Sequence, residues 1–186
     1  RRGGGRRAPP PPPPPPPHAP PPPGGPPAPP PPPPPFLPPS QCAVEAPDAQ
    51  MQRQCVSVLH KLTESWLLPP ATGAPAGPVP GFDTYALSRI GPALLKSLVH
   101  PYLNLKDAAS LQLLEAIAAA QQALHAALDV RYASFLLESA LPALGCSPEL
   151  AATFVQHAAS GSPGQRPLVF RDFLRSFVES YRASQR

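Results

Sequence analysis

Proline sets the first limit on this chain. It accounts for 36 of the 186 residues and crowds into runs at positions 9–17, 20–23 and 29–35, broken by His18, Ala19 and the Gly24-Gly25 region. Proline locks φ and lacks an N–H, so such runs build neither a helix interior nor a sheet ladder. They adopt polyproline II and behave as semi-rigid spacers. Residues 1–46 therefore read as a disordered, Pro-rich low-complexity segment. The foldable part is residues 47–186, which suits one ordinary domain.

Charge divides at the same place. Before residue 47, Arg1, Arg2, Arg6 and Arg7 face only Glu45, whereas beyond it eleven Lys/Arg face ten Asp/Glu. The foldable part is nearly neutral, so bulk electrostatics do not announce a nucleic-acid binder. Cys42, Cys55 and Cys146 are far apart and fit neither a zinc site nor a disulfide framework. They read as reduced thiols of a nuclear or cytosolic protein, with Cys55 and Cys146 acting as small apolar residues. No apolar run approaches the roughly 20 residues of a membrane span. The Arg-rich start leads into proline rather than a hydrophobic stretch, unlike a signal peptide. A first residue of Arg rather than Met suggests a fragment with sequence upstream.

Helical periodicity fills the rest. The first helix spans Asp48 to Leu68, with Asp48 as N-cap and Cys55, Leu59, Leu62 and Trp66 on one face. Pro69-Pro70 ends it, and residues 71–81 form a loop. The second starts near Asp83, with Gly91-Pro92 predicting a kink and Pro101 a break. The third, Leu105 to Leu128, carries Leu111, Leu114, Ile117, Gln121, Leu124 and Leu128, and its alanines at 116 and 118–120 permit a close neighbour. The fourth, Val130 to Leu144, presents Phe135, Leu136, Leu137 and Leu141. Gly145, Ser147 and Pro148 then fit a left-handed C′ residue, an N-cap and a first helical position. The fifth runs Pro148 to Ala159. The sixth, Pro167 to about Arg182, repeats Phe170, Phe173, Leu174, Phe177, Val178 and Tyr181. The chain is thus expected to be all-α, built of antiparallel helical hairpins, and three pairs in this length fit a HEAT-like solenoid.

No catalytic pattern emerges. His60, His100, His125 and His157 sit on different helices or turns, without an acid or thiol at catalytic spacing. GxSxG, HExxH and phosphate-binding Gly loops are missing from the sequence. The expectation is a non-enzyme with no catalytic, cofactor-binding or metal residues.

The order of five segments resembles the exportin-t family, the tRNA exportins of the importin-β superfamily. They are RQCVSVLHKLTESW (53–66), GFDTYALSRIGPA (81–93), LNLKDAASLQLLEAIA (103–118), DVRYASFLLESALPALGCSPELAATFVQ (129–156) and PLVFRDFLRSFVESYR (167–182). The resemblance covers about residues 50–184 and consists of helix-packing residues. The Pro-rich segment and longer loops at 69–80 and 160–164 depart from the family. It implies the C-terminal cap of a HEAT-repeat solenoid that binds tRNA with Ran-GTP, Ran contacting N-terminal repeats lying outside this chain. It further implies passage through the nuclear pore, contacts with pore proteins, and shuttling between nucleus and cytoplasm.

The same resemblance makes Arg166, Arg171, Arg175, Arg182, Lys106 and Arg131 candidate contacts to the tRNA backbone, where A-form shape rather than sequence is read. The alternative is a solvated face, with Asp172 pairing to Arg175 and Arg175 to Glu179. Trp66 reads as core beside Leu59 and Leu62, or as a stacking platform. The helices could instead be a karyopherin-like or other scaffold for a protein partner. The proline runs could serve profilin- or SH3-type modules.

Overall fold

The computed structural model describes residues 39–45, 48–68, 78–101, 103–161 and 166–185, all within the unit Phe36–Arg186. The polyproline runs and Arg186 lie outside these described residues. Every regular element among them is helical.

Asp48 opens α2 (Ala49–Leu67) as expected, its carboxylate accepting the Met51 N–H at 2.8 Å. Ahead of it lies α1 (Pro39–Glu45), so helical structure begins before the boundary placed at Pro47. Proline-rich composition hides this helix, and two polar side chains of its neighbours fasten it. The Ser97 hydroxyl donates to the Ala43 carbonyl at 2.7 Å, and the Gln52 amide donates to Val44 at 3.4 Å. Ala43 is fully buried as a result.

Helix α3 (residues 82–98) follows Gly81, whose φ of +79° suits a residue without Cβ. Residues Ala86–Ile90 wind as a π turn, with the Gly91 N–H reaching back to the Ala86 carbonyl. Sequence reasoning placed a kink at Gly91-Pro92. The wider winding sits just before that pair and opens room for the pyrrolidine ring. The same device recurs in α5 (residues 130–143), where the π turn Phe135–Ala140 precedes Leu141 and Pro142.

Between them α4 (Ala108–Leu128) is capped by Asp107. It begins later than the spacing predicts, because Leu103 and Leu105 are buried from the preceding turn rather than from a helix. Ser110, Leu113, Leu114, Ile117, Ala118, Ala120, Gln121 and Leu124 are all buried. That set exceeds one stripe because α4 lies at the centre, packed against α2, α3, α5, α6 (Pro148–Ala159) and α7 (Leu168–Ser184). Each fully buried Leu or Ile there contributes roughly 1.5–3 kcal/mol.

The expected α5–α6 junction is present. Gly145 is left-handed at φ +75°, the Cys146 N–H bonds the Leu141 carbonyl, and Ser147 Oγ accepts the Leu150 N–H. Helices α6 and α7 then form an antiparallel hairpin. Phe154, fully buried, meets Phe170, Phe173 and Phe177 edge-on at 5.4–6.0 Å. The all-α architecture of helical hairpins expected from the sequence is therefore the observed one.

Candidate nucleic-acid interface

The six candidate cations have different surroundings. Arg166 leaves the α6–α7 connection and grips Glu115 of α4 with two parallel bonds, 2.7 Å from Nε and 2.8 Å from the guanidinium amine. This pairing holds the Glu115 carboxyl below its ordinary value, chiefly through the hydrogen bond. Arg166 stays 72% exposed on its side chain, so its outer edge remains open. Arg171 bonds Asp172 at 2.6 Å, and Arg175 meets Glu179 at 3.5 Å. Asp172 thus pairs with its neighbour Arg171 rather than with Arg175, the i+3 partner anticipated from helix spacing.

Arg182 differs from these three. Its guanidinium donates to the backbone carbonyls of His100 at 3.0 Å and Leu103 at 2.7 Å, tying the end of α7 to the α3–α4 turn. Arg131, on α5, reaches Asp83 of α3 at 2.6 Å and keeps 57% of its side chain exposed. Lys106 is exposed in the turn before α4. The structure therefore brings Arg166 and Arg171 to the same carboxylate, Glu115, with Arg175 one turn further along α7, whereas Arg182 lies at the turn that carries Lys106 and Arg131 lies on α5.

Pair formation leaves other cations uncompensated. Among the described residues Arg53, Lys61, Arg89, Lys96 and Lys106 make no ion pair. Four of them escaped the sequence reading, which followed the arginine-rich last helix. The signal is local: Arg53, Arg89 and Lys96 have no acid three or four residues away, and Glu64, three beyond Lys61, meets His60 instead.

A groove of about 560 Å³ runs between α2 and α4, floored by Ala116, Ala119 and Ala123. Arg53, His60 and Glu64 rise from α2, Glu115 and Gln122 from α4, and Arg166 closes one end. His60 Nε2 lies 3.4 Å from Glu64. Of the alanines read from the sequence as permitting close helix approach, Ala116 and Ala119 line this groove, and the pair α2–α4 makes the most extensive contact in the fold. No group of three or more potential metal ligands exists among the described residues. Trp66 departs from expectation: it is 38% exposed, its ring set edge-on to Phe82 at 4.9 Å, because it sits at the last turn of α2.

Comparison with known proteins adds to this geometry. A family model described as Exportin-T matches residues 40–182. Exportin-T of Homo sapiens is 30% identical over 139 residues, covering 75% of this chain and 13% of the human one. Exportin-T of Aspergillus clavatus is 29% identical over 139 residues, covering 71% and 13%. That of Mycosarcoma maydis is 27% identical over 132 residues, covering 70% and 12%. The chain thus spans about 13% of the length of these curated relatives. No solved structure matches.

Proposed function

Because this chain belongs to the Exportin-T family, we propose that it forms the C-terminal, HEAT-like end of a nuclear export receptor for tRNA. The whole receptor binds tRNA cooperatively with Ran-GTP, passes the pore through contacts with its proteins, and shuttles between nucleus and cytoplasm. Ran-GTP engages repeats outside this chain. The part described here contributes surface to cargo and does no chemistry.

The observation that carries the proposal is the family match, which runs from α1 to near the end of α7. The surface gives it a mechanism. Arg166, Arg171 and Arg175 present guanidiniums whose side chains are only partly covered. An ion-paired arginine retains free N–H donors, so it can hold a carboxylate and a phosphate together. Contacts of this type read the A-form backbone, as a receptor for many tRNAs requires.

The test is anisotropy of labelled tRNA with the 186-residue chain over a salt series. Log affinity falls linearly with log salt, and exchanging Arg171→Glu with Arg175→Glu lowers the slope by about two. Arg182→Ala lowers thermal stability, since one amine of its guanidinium donates to two backbone carbonyls. Absence of tRNA binding, or binding indifferent to salt, overturns the proposal and favours a scaffold for a protein partner.

A further inference from the structure

Two large rings stand open to water at one end of α2 and the start of α3. Trp66 is 38% and Tyr85 37% exposed. Both rest on Phe82, which is itself buried: Trp66 edge-on at 4.9 Å, Tyr85 stacked at 5.6 Å and 24°. Val79, 41% exposed, adjoins them through its N–H bond to the Trp66 carbonyl at 2.9 Å. Phe82 therefore supports both rings, while somewhat over a third of each residue's surface stays exposed.

One guanidinium adjoins this patch. Arg89 lies one helical turn beyond Tyr85 on α3, exposed and without an acid partner. Arg131 of α5 is a different case, because it is paired with Asp83, two residues before Tyr85 and so on another side of α3. Flat rings beside an uncompensated cation match the two halves of a nucleotide, a base to stack and a phosphate to neutralise.

We propose that Trp66 and Tyr85 form a stacking platform for unpaired RNA bases, with Arg89 binding an adjoining phosphate. The proposal rests on the RNA-binding reading above and assigns it a second site, away from the arginines of α7. Bases within a duplex are already stacked on their neighbours, so this surface selects loops or ends over helical stems. A proline-rich peptide also docks on aromatic rings, but it has no use for the unpaired cation beside them. Charge complementarity decides for RNA. Preorganisation helps as well, because rings already held by Phe82 lose little freedom on binding.

Trp66 is the chain's one tryptophan, so intrinsic emission reports on this site directly. The 186-residue chain is titrated with a short unstructured RNA, with a duplex of equal length, and with labelled tRNA followed by anisotropy. The unstructured RNA quenches emission saturably while the duplex does not. Tyr85→Ala weakens the unstructured RNA about tenfold, in keeping with the loss of one stacked base. Arg89→Ala, a surface change that leaves the fold alone, weakens it several-fold in a salt-dependent manner. tRNA binding with emission unchanged and both variants wild-type overturns this site and leaves the tRNA proposal standing. Failure of every RNA to bind removes both. Quenching by a proline-rich peptide, with none by RNA, hands the platform to a protein partner and overturns the assignment.

Discussion

Alanine at position 91 tests how closely α3 and α5 approach. A helical Gly→Ala exchange ordinarily stabilises by about 1 kcal/mol, through helix propensity and a less diverse unfolded chain. Gly91 has helical angles, φ −53° and ψ −53°, so that gain is open to it. A methyl there would lie 2.8 Å from Phe135 Cε1, 3.3 Å from its Cζ and 3.4 Å from Tyr132 Cε2. Comfortable carbon contacts begin near 3.5 Å, so the Phe135 ring must retreat by roughly 0.7 Å. It cannot do so freely, since it stacks on Tyr132 at 5.8 Å and Tyr132 is fully buried. Overpacking of this kind costs about 1–3 kcal/mol, which outweighs the propensity gain. Gly91→Ala should therefore lose about 1 kcal/mol net, a melting midpoint lower by about 4 °C in a domain of this size. Thermal melts by circular dichroism measure it. With Phe135→Ala the obstructing ring is gone, and Gly91→Ala should then stabilise by about 1 kcal/mol. A Gly91→Ala protein more stable than its parent, or no change of sign in the Phe135→Ala background, refutes the packing argument.

Two further outcomes concern a carboxylate and a strained backbone. Arg166 depresses the folded-state pKa of Glu115, so the stabilisation is present above the ordinary value of 4.5 and fades as pH falls through the lower folded value. Arg166→Ala should lower the urea midpoint modestly near neutral pH, the pair being partly exposed, and match its parent once Glu115 is protonated. A gap that persists unchanged into acid contradicts this. Asp129 has φ +44° and ψ −118°, a region favoured by glycine. Asp129→Gly should raise stability by about 1 kcal/mol in thermal melts, and a lower midpoint would mean that the carboxylate more than offsets the strain.

Local chemistry was the legible part of this fold. Asp48, Gly145, Ser147 and Pro148 announce helix ends because capping involves only near neighbours in sequence. What depends on distant residues was hidden. Helix α1 has no periodicity to display and is held by Ser97, 54 residues away. Trp66 shares a helical face with Leu59, yet a face at the last turn runs out of partner helix before it runs out of side chain. The candidate cations illustrate the same limit. Sequence counts charges, whereas Arg166 is engaged by an acid 51 residues away and Arg182 by carbonyls 79 and 82 residues away. Arg89 was readable in principle, as a cation four residues from Tyr85 on an exposed face.

The two π turns have a consequence for comparing this chain with its relatives. A π turn closes an i→i+5 ring, so it accommodates one residue more than regular winding over the same rise. Helices α3 and α5 thus each carry a surplus residue, placed just ahead of Pro92 and Pro142. A single-residue gap opposite 86–90 or 135–140 in an alignment would therefore record a switch between two windings of one helix, with the flanking core positions still in register. Such indels belong to helix geometry, and chains that differ there can share the same packed interior.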